Sequence, residues 1–287
     1  MGSEISDAIV RQAEETVTLA GETVRIIREE SAKEIASSYA LHLGEVFRVA
    51  LAEGIIPYRY IRNHGVISVE DQLRLAKSCA CVVGAGGLGG NVIVLLARLG
   101  IGRLIVIDAD RFDETNLNRQ ALCTRDNLGR PKAREAAAVV SQINPGVAVT
   151  PYVEKLTEKN APQILQGAHV IVDALDNVTD RFVLGATAKR LGIPMVHAGI
   201  AGFEGQLMSV FPEDPGLELI FGDADRWKAP KRTPEAVLGV PAVTASLLAT
   251  LQVMEVLKII LHKGKPIRNK ILRPDLEMGE FHEIVFT

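Results

Sequence analysis

The chain has 287 residues, 23% of them charged, and a net charge of −3. That length suits one α/β domain of roughly 200–250 residues with a small appendage, and the charge supplies no basic field for nucleic acid. The three cysteines, Cys79, Cys81 and Cys123, include no CxxC pair, so a disulfide framework is excluded, no zinc is expected, and the protein reads as reduced and cytoplasmic.

The N-terminus places Glu4, Asp7 and Arg11 among apolar positions, unlike the basic and then apolar order of a secretory signal. "TVTLAGETVRII" alternates on both sides of Ala20-Gly21-Glu22 and predicts a short hairpin. "SAKEIASSYALHLGEVFRVALAEG" predicts two short helices, the second stopped by Gly54. Paired helices invite a helix-turn-helix reading. Lys33 and Arg48 are the only lysine or arginine between Ser31 and Gly54, so packing or docking is the expected role. This sets a mainly helical appendage over residues 1–56 against a larger domain over 57–287.

From Cys79 the pattern alternates. Strands are predicted at Ala80–Val83, Arg103–Asp108, Val147–Val153, His169–Asp173 and Pro194–Ala198, with helices near Gly89–Leu99, Pro131–Ile143, Glu158–Gln166 and Asp180–Arg190. Such alternation requires parallel strands with right-handed crossovers, hence a doubly wound, Rossmann-like α/β sheet. "GQLMSVF" follows as a strand, Pro212–Pro241 as an irregular region, and "KILRPDLEMGEFHEIVF" as two antiparallel strands around a turn. Before them, "VPAVTASLLATLQVMEVLKIIL" is long enough to raise a membrane question. Gln252, Glu255 and Lys258 interrupt it at three-residue steps, which predicts a core helix with one wet edge and no membrane span.

Gly84, Gly86 and Gly89 have the G-x-G-x-x-G spacing, and Gly87 adds a fourth glycine. They let the backbone approach a phosphate at the N-terminus of the following helix. Asp108, at the next strand end, suits a ribose hydroxyl. Such a fingerprint alone also fits a dinucleotide. Beyond it lie Asn116, Arg119 and, in the first turn of a helix, Lys132. A nicotinamide enzyme has no evident need for these groups; a triphosphate does, because its leaving pyrophosphate must be neutralised. Asp176 and Asn177, in "VDALDNVTDR", should face the same crevice. A carboxylate near a triphosphate needs a bridging cation, so Asp176 is the candidate Mg²⁺ ligand, with Asp108 or Asp110 as helpers. The plainer role for Asp176-Asn177 is capping the next helix, for which Asp173 and Asp180 compete.

In order, "GAGGLGG", "IDAD…NLNRQ", "GRPKA", "INP", "DALDN" and "EGQ" resemble the ThiF/MoeB/HesA family, bacterial relatives of ubiquitin-activating enzymes, from about Tyr58 to Phe286. "LLATLQVMEVLKIIL" resembles the family's terminal helix. The resemblance implies an adenylyltransferase. It would bind MgATP, adenylate the C-terminal glycine carboxylate of a small β-grasp sulfur carrier protein ending in Gly-Gly, and release pyrophosphate. It also implies that Gly87 lies against the nucleotide, that Asp108 holds the ribose, and that Asn116, Arg119 and Lys132 hold the phosphates. Asp176 would bind the metal, with Asn177 beside it. In "YRYIRN", Arg62 would reach the ATP of a partner subunit in a homodimer, with Asn63 replacing the family's usual Gln. Two departures stand out. The family's CxxC pairs are missing, and Glu235 aligns with the cysteine that several members use for a covalent link to the carrier.

Two other acceptors fit the same chemistry, a peptide terminus or a tRNA base, the second disfavoured by the near-neutral charge. An NAD-linked oxidoreductase lacks an evident catalytic pair, since His197, in "VHAGIAG", reads as a satisfied core histidine. A scaffold without activity would have no reason to keep Asn116, Arg119, Lys132 and Asp176 together.

Overall fold

The computed structural model describes residues 2–227 and 234–286. Its N-terminal part runs α1 (Gly2–Gln12), β1 (Glu14–Val17), β2 (Thr23–Ile27), α2 (Glu29–Ser38), α3 (Leu43–Ala52) and β3 (Ile56–Pro57). β1 and β2 form the expected antiparallel hairpin, with Val17 opposite Thr23, and β3 adds to β2 in parallel. The expected helix pair is present as α2 and α3. His42 and Glu45 form a capping box at the start of α3, and the chain leaves it through Gly54 at φ +72°. The sequence reading held no α1. Its Ile5, Ala8 and Ile9 are buried against α2 and α3 residues such as Ile35, Val46 and Phe47.

The remainder runs α4 (Val69–Ala76), β4 (Cys79–Val83), α5 (Gly87–Leu99), β5 (Arg103–Ile107), α6 (Lys132–Ile143) and β6 (Ala148–Tyr152). It continues through α7 (Ala161–Leu165), β7 (Val170–Asp173), α8 (Val178–Leu191), β8 (Met195–Ala201) and β9 (Glu204–Val210). Then come α9 (Glu218–Phe221), α10 (Pro234–Leu238), α11 (Ala242–Leu261), β10 (Lys270–Asp275) and β11 (Glu280–Val285). The eight strands lie in the order β11-β10-β9-β8-β7-β4-β5-β6. β4 to β8 are parallel. β9, β10 and β11 extend the sheet antiparallel. The stretch expected to be irregular, Pro212–Pro241, contains the short helices α9 and α10 among its described residues; positions 228–233 lie outside them.

Both sheet faces are covered, and the strand side chains alternate between two cores. Ala80, Val82, Leu104, Val106, Val170 and Val172 face α5, α6 and α11. Cys79, Cys81, Val83, Ile105, Ile107 and Ile171 face α7 and α8. All three cysteines are buried and unpaired.

α11 corrects one expectation. Among the described residues it is the one helix long and apolar enough to cross a membrane, yet it packs on α5, β8 and β9, and its Gln252 and Glu255 point inward. Gln252 is fully buried and donates through Nε2 to the carbonyls of Asp173 (2.9 Å) and Val196 (3.1 Å). Buried Glu255 accepts from Ser209 Oγ and from the Ile267 N–H, both at 2.7 Å. The exposed side carries Ser246 and Thr250 beside the apolar Val243 and Met254. The expected wet edge is a set of buried ties between helix and sheet, which burial requires to be hydrogen-bonded.

The turn Tyr58–Tyr60, which follows the appendage, is tied to the end of α6, and its Arg59 also pairs with Glu29 of α2 at 2.5 Å. Asn144 donates through Nδ2 to Tyr60 Oη and to the Ala97 carbonyl, both at 2.8 Å. Arg59 donates to the Ile143 carbonyl at 3.1 Å.

Candidate active site

The sheet order reverses between β4 and β7: from β4 the chain proceeds to β5 and β6 on one side, and β7 and β8 lie on the other. Crevices form at the carboxyl ends of strands at such a switch point. A cavity of about 640 Å³ opens there, lined by Gly84, Gly86, Gly87, Asp108, Asn116, Arg119, Lys132, Asp176 and Asn177.

The glycine turn after β4 has two kinds of glycine. Gly84 sits at φ +97°, and a Cβ there would lie 2.5 Å from the Ala174 carbonyl oxygen of the neighbouring strand end. A Cβ on Gly89 would lie 1.9 Å from the Gly84 carbonyl oxygen, so Gly89 lets α5 pack onto the turn; it is not among the residues that line the cavity. Gly86 and Gly87 carry no such demand: their nearest neighbours to a Cβ stand 3.7 and 3.5 Å away. What they leave open is cavity space beside the N-terminus of α5, whose cap residue, Gly86, has no side chain. Free N–H groups at a helix start favour an anion.

Asp108, just beyond β5, is anchored to this turn. Its Oδ2 accepts from the Ala85 N–H at 2.7 Å and its Oδ1 from the Asp110 N–H at 2.8 Å. Burial pushes the Asp108 carboxyl above the usual aspartate range, against the opposing pull of those N–H groups and of the Lys132 ammonium.

The groups after β5 converge on the same cavity. Asn116 closes a short turn by accepting from the Asp113 N–H at 3.1 Å. Arg119 donates through Nη1 to the Thr115 carbonyl and Asn118 Oδ1, and makes no ion pair among the described residues. Lys132 opens α6 with its side chain 8% exposed, and its ammonium stands 2.9 Å from Oδ2 of the exposed Asp110. A nearly buried cation held by one solvated carboxylate is ready to exchange that partner for a phosphate.

At the end of β7, Asn177 caps α8: its Oδ1 accepts from the Asp180 N–H and its Nδ2 donates to Asp180 Oδ2, both at 2.8 Å. The capping role thus falls to Asn177, and exposed Asp176 faces the cavity beside it. Mg²⁺ takes one or two protein carboxylates and completes its shell with water and substrate phosphates. Asp176 fits that donor set: of the possible helpers lining the same cavity, Asp108 is held by backbone N–H groups and Asp110 by Lys132, and no cluster of three or more ligating side chains occurs among the described residues.

His197, on β8, is fully buried. Its Nδ1 lies 2.7 Å from Asp173 Oδ2 and its Nε2 3.0 Å from Gln206. Burial holds the imidazole below its ordinary range against the pull of Asp173, so it is the satisfied core histidine that its sequence setting suggests. Arg62 is exposed, just beyond the turn Tyr58–Tyr60, and does not line the cavity of its own chain.

Three polar lining residues, Gln120, Lys155 and Arg181, have no site role in the sequence reading, and Glu235 enters there only as the counterpart of a cysteine. Gln120 lies against Gly86, and its buried Oε1 has no partner. Lys155, after β6, pairs with Asp180 at 3.1 Å. Arg181 and Glu235 face each other across the opposite wall. The arginine in "DNVTDR" is the one signal that could have found the last pair, since α8 returns it to the strand ends one turn after Asn177.

Residues 59–286 match the ThiF family model. The chain is 37% identical over 207 residues to the SAMP-activating enzyme E1 of Haloferax volcanii, covering 72% of this chain and 76% of that protein. It is 36% identical over 224 residues to the sulfur carrier protein adenylyltransferase of Thermus thermophilus, covering 76% of this chain and 82% of the relative. Among solved structures, E. coli MccB with ATP superposes with a TM-score of 0.66 at 21% identity, covering 85% of this chain and 78% of MccB; that likeness is one of fold.

Proposed function

The chain belongs to the ThiF family, and on that premise we propose that it uses MgATP to adenylate the C-terminal glycine carboxylate of a small ubiquitin-like carrier protein, with release of pyrophosphate. The observation that carries the reading is one cavity that combines an open helix N-terminus with Asn116, Arg119, Lys132 and Asp176. A dinucleotide asks for the first of these features; a leaving pyrophosphate asks for the cations as well. The names of the two relatives, a SAMP-activating enzyme and a sulfur carrier protein adenylyltransferase, support a carrier protein as acceptor.

In this reading Asp108 accepts from the ribose hydroxyls, and Gly86 and Gly87 leave room for the α-phosphate at the start of α5. Asn116, Arg119 and Lys132 hold the β- and γ-phosphates, Lys132 leaving Asp110 to do so. When bound, Mg²⁺ neutralises charge on the phosphate oxygens, and Asp176 would hold it, with Asn177 fixing the loop that presents Asp176. A carboxylate oxygen of the acceptor attacks the α-phosphorus, the bond to the bridging oxygen of the β-phosphate breaks, and pyrophosphate leaves. No protein nucleophile and no proton transfer are required, so catalysis rests on positioning and charge stabilisation.

Arg62, exposed and outside its own cavity, is assigned to the triphosphate of the partner in a homodimer. Residues 1–56 are assigned to an appendage distinct from the adenylating domain over 57–287. Among the alternative acceptors, a peptide is favoured over a tRNA base, because E. coli MccB has also been solved with the peptide MccA and shares this fold.

The test is ATP–pyrophosphate exchange with a β-grasp carrier ending in Gly-Gly. Exchange that requires the carrier and stops when its last glycine is removed supports the reading. Exchange driven equally well without the carrier contradicts it.

A further inference from the structure

The cations that face the triphosphate lie on the β5 side of the crevice. The other wall, two strands away across β4 and β7, is built at the end of β8 from Gly199 and Ile200, together with Val240, Arg181 and Glu235. An incoming carboxylate meets repulsion from the phosphates at this end unless a cation stands beside it.

Arg181 is the cation there, and its guanidinium is only partly used. It is 3% exposed. Nη2 donates to the Leu175 carbonyl at 2.6 Å and the Ala198 carbonyl at 3.4 Å, which pins the side chain between the loop after β7 and the middle of β8. Nε is sealed from solvent with no hydrogen-bond partner; Asp173 Oδ2 lies 3.6 Å away. Nη1 stands 3.7 Å from Glu235 Oε1, an ion pair too long for a hydrogen bond. A guanidinium N–H pairs with a carboxylate oxygen in a short charge-assisted hydrogen bond, and Glu235 leaves that bond at Nη1 unmade. Glu235 also sets a negative charge on the wall of a cavity shaped for anions, at the position where the resemblance predicts a cysteine.

We propose that Arg181 receives the terminal carboxylate of the acceptor, and that Glu235 holds that place until the acceptor displaces it. The inference rests on the adenylation reading for the identity of the acceptor. One acceptor oxygen pairs with Nη1 and leaves the other free to attack the α-phosphorus. Glu235, covalently part of the same chain, competes at the high effective concentration of an intramolecular group. It thereby keeps weak carboxylates out of a site loaded with nucleotide.

The test uses the full chain saturated with Mg²⁺ and the α,β-methylene analogue of ATP. By calorimetry it is titrated with a synthetic peptide ending in a Gly-Gly carboxylate and with the same peptide as its carboxamide. Glu235→Gln should bind the carboxylate peptide about tenfold tighter than the wild type, with equal affinity for the carboxamide. Glu235→Ala should behave the same way, and Arg181→Lys on the Gln background should lose the gain at an unchanged melting temperature. Equal or weaker carboxylate binding by Glu235→Gln overturns the proposal, as does an equal gain for the carboxamide. Because the readout is binding, the two readings fail separately: the predicted pattern in a chain that exchanges no pyrophosphate would support the role of Arg181 and contradict adenylation.

Discussion

Lys132 shows how much of a site one residue can carry. Its ammonium is nearly buried and has Asp110 as its one carboxylate partner, so a phosphate that takes that place gains a cation already stripped of most of its water. Removing such a charge from a developing transition state costs about 10²–10³-fold in turnover. Lys132→Ala and Arg119→Ala should each lose that much in ATP–pyrophosphate exchange, and near-normal exchange in both would remove them from the phosphate site. Asp108 makes a second prediction. Because burial raises its carboxyl, it protonates, as pH falls, before an ordinary aspartate does, and a protonated acid is a poorer acceptor for a ribose hydroxyl. ATP affinity should therefore fall with decreasing pH, beginning above the usual aspartate range, and Asp108→Asn should lack that component; parallel pH profiles for the two would contradict it. That Gly84, Asp108, Arg119, Lys132 and Asp176 meet at one cavity was legible in the sequence, because each lies in a segment leading from the carboxyl end of a parallel strand into the next helix. Arg181 was not, because its place depends on a helix turning it back toward the strand ends, which no local pattern states.

Among the elements, the alternating β4, β5 and β7 strands were readable from their apolar runs, since a strand buried on both faces has no polar side to show. The hairpin β1–β2 was readable from its turn. Two elements mark the limit. α1 buries Ile5, Ala8 and Ile9 at helical spacing, a signal spread over too few turns to stand alone. α11 has the reverse problem: Gln252 and Glu255 look like a solvated stripe because polarity in sequence does not say whether water or backbone satisfies it. The structure supplies the carbonyls of Asp173 and Val196 for Gln252. Gln252→Ala should remove both of these helix-to-sheet hydrogen bonds, at the end of β7 and the start of β8, and cost about 2 kcal/mol in urea unfolding. A loss below about 0.5 kcal/mol, typical of a surface site, would restore the wet edge.

At the scale of the molecule, the doubly wound sheet fixes where the crevice opens, at the reversal between β4 and β7, and its antiparallel extension through β9, β10 and β11 completes the sheet on one side. Arg62 lies outside its own cavity, so its assignment is a statement about the assembly. Arg62→Ala and Lys132→Ala chains, each inactive alone, should regain about a quarter of wild-type exchange when equal amounts are refolded together, because half the dimers then hold one intact site of two. No recovery on mixing would place Arg62 outside the reaction or within its own subunit. The central claim concerns the bond made, and intact mass measurement of the carrier after incubation with MgATP reads it directly. The account predicts a carrier heavier by one adenylyl group, with one pyrophosphate released for each; an unmodified carrier accompanied by ADP and phosphate would contradict it.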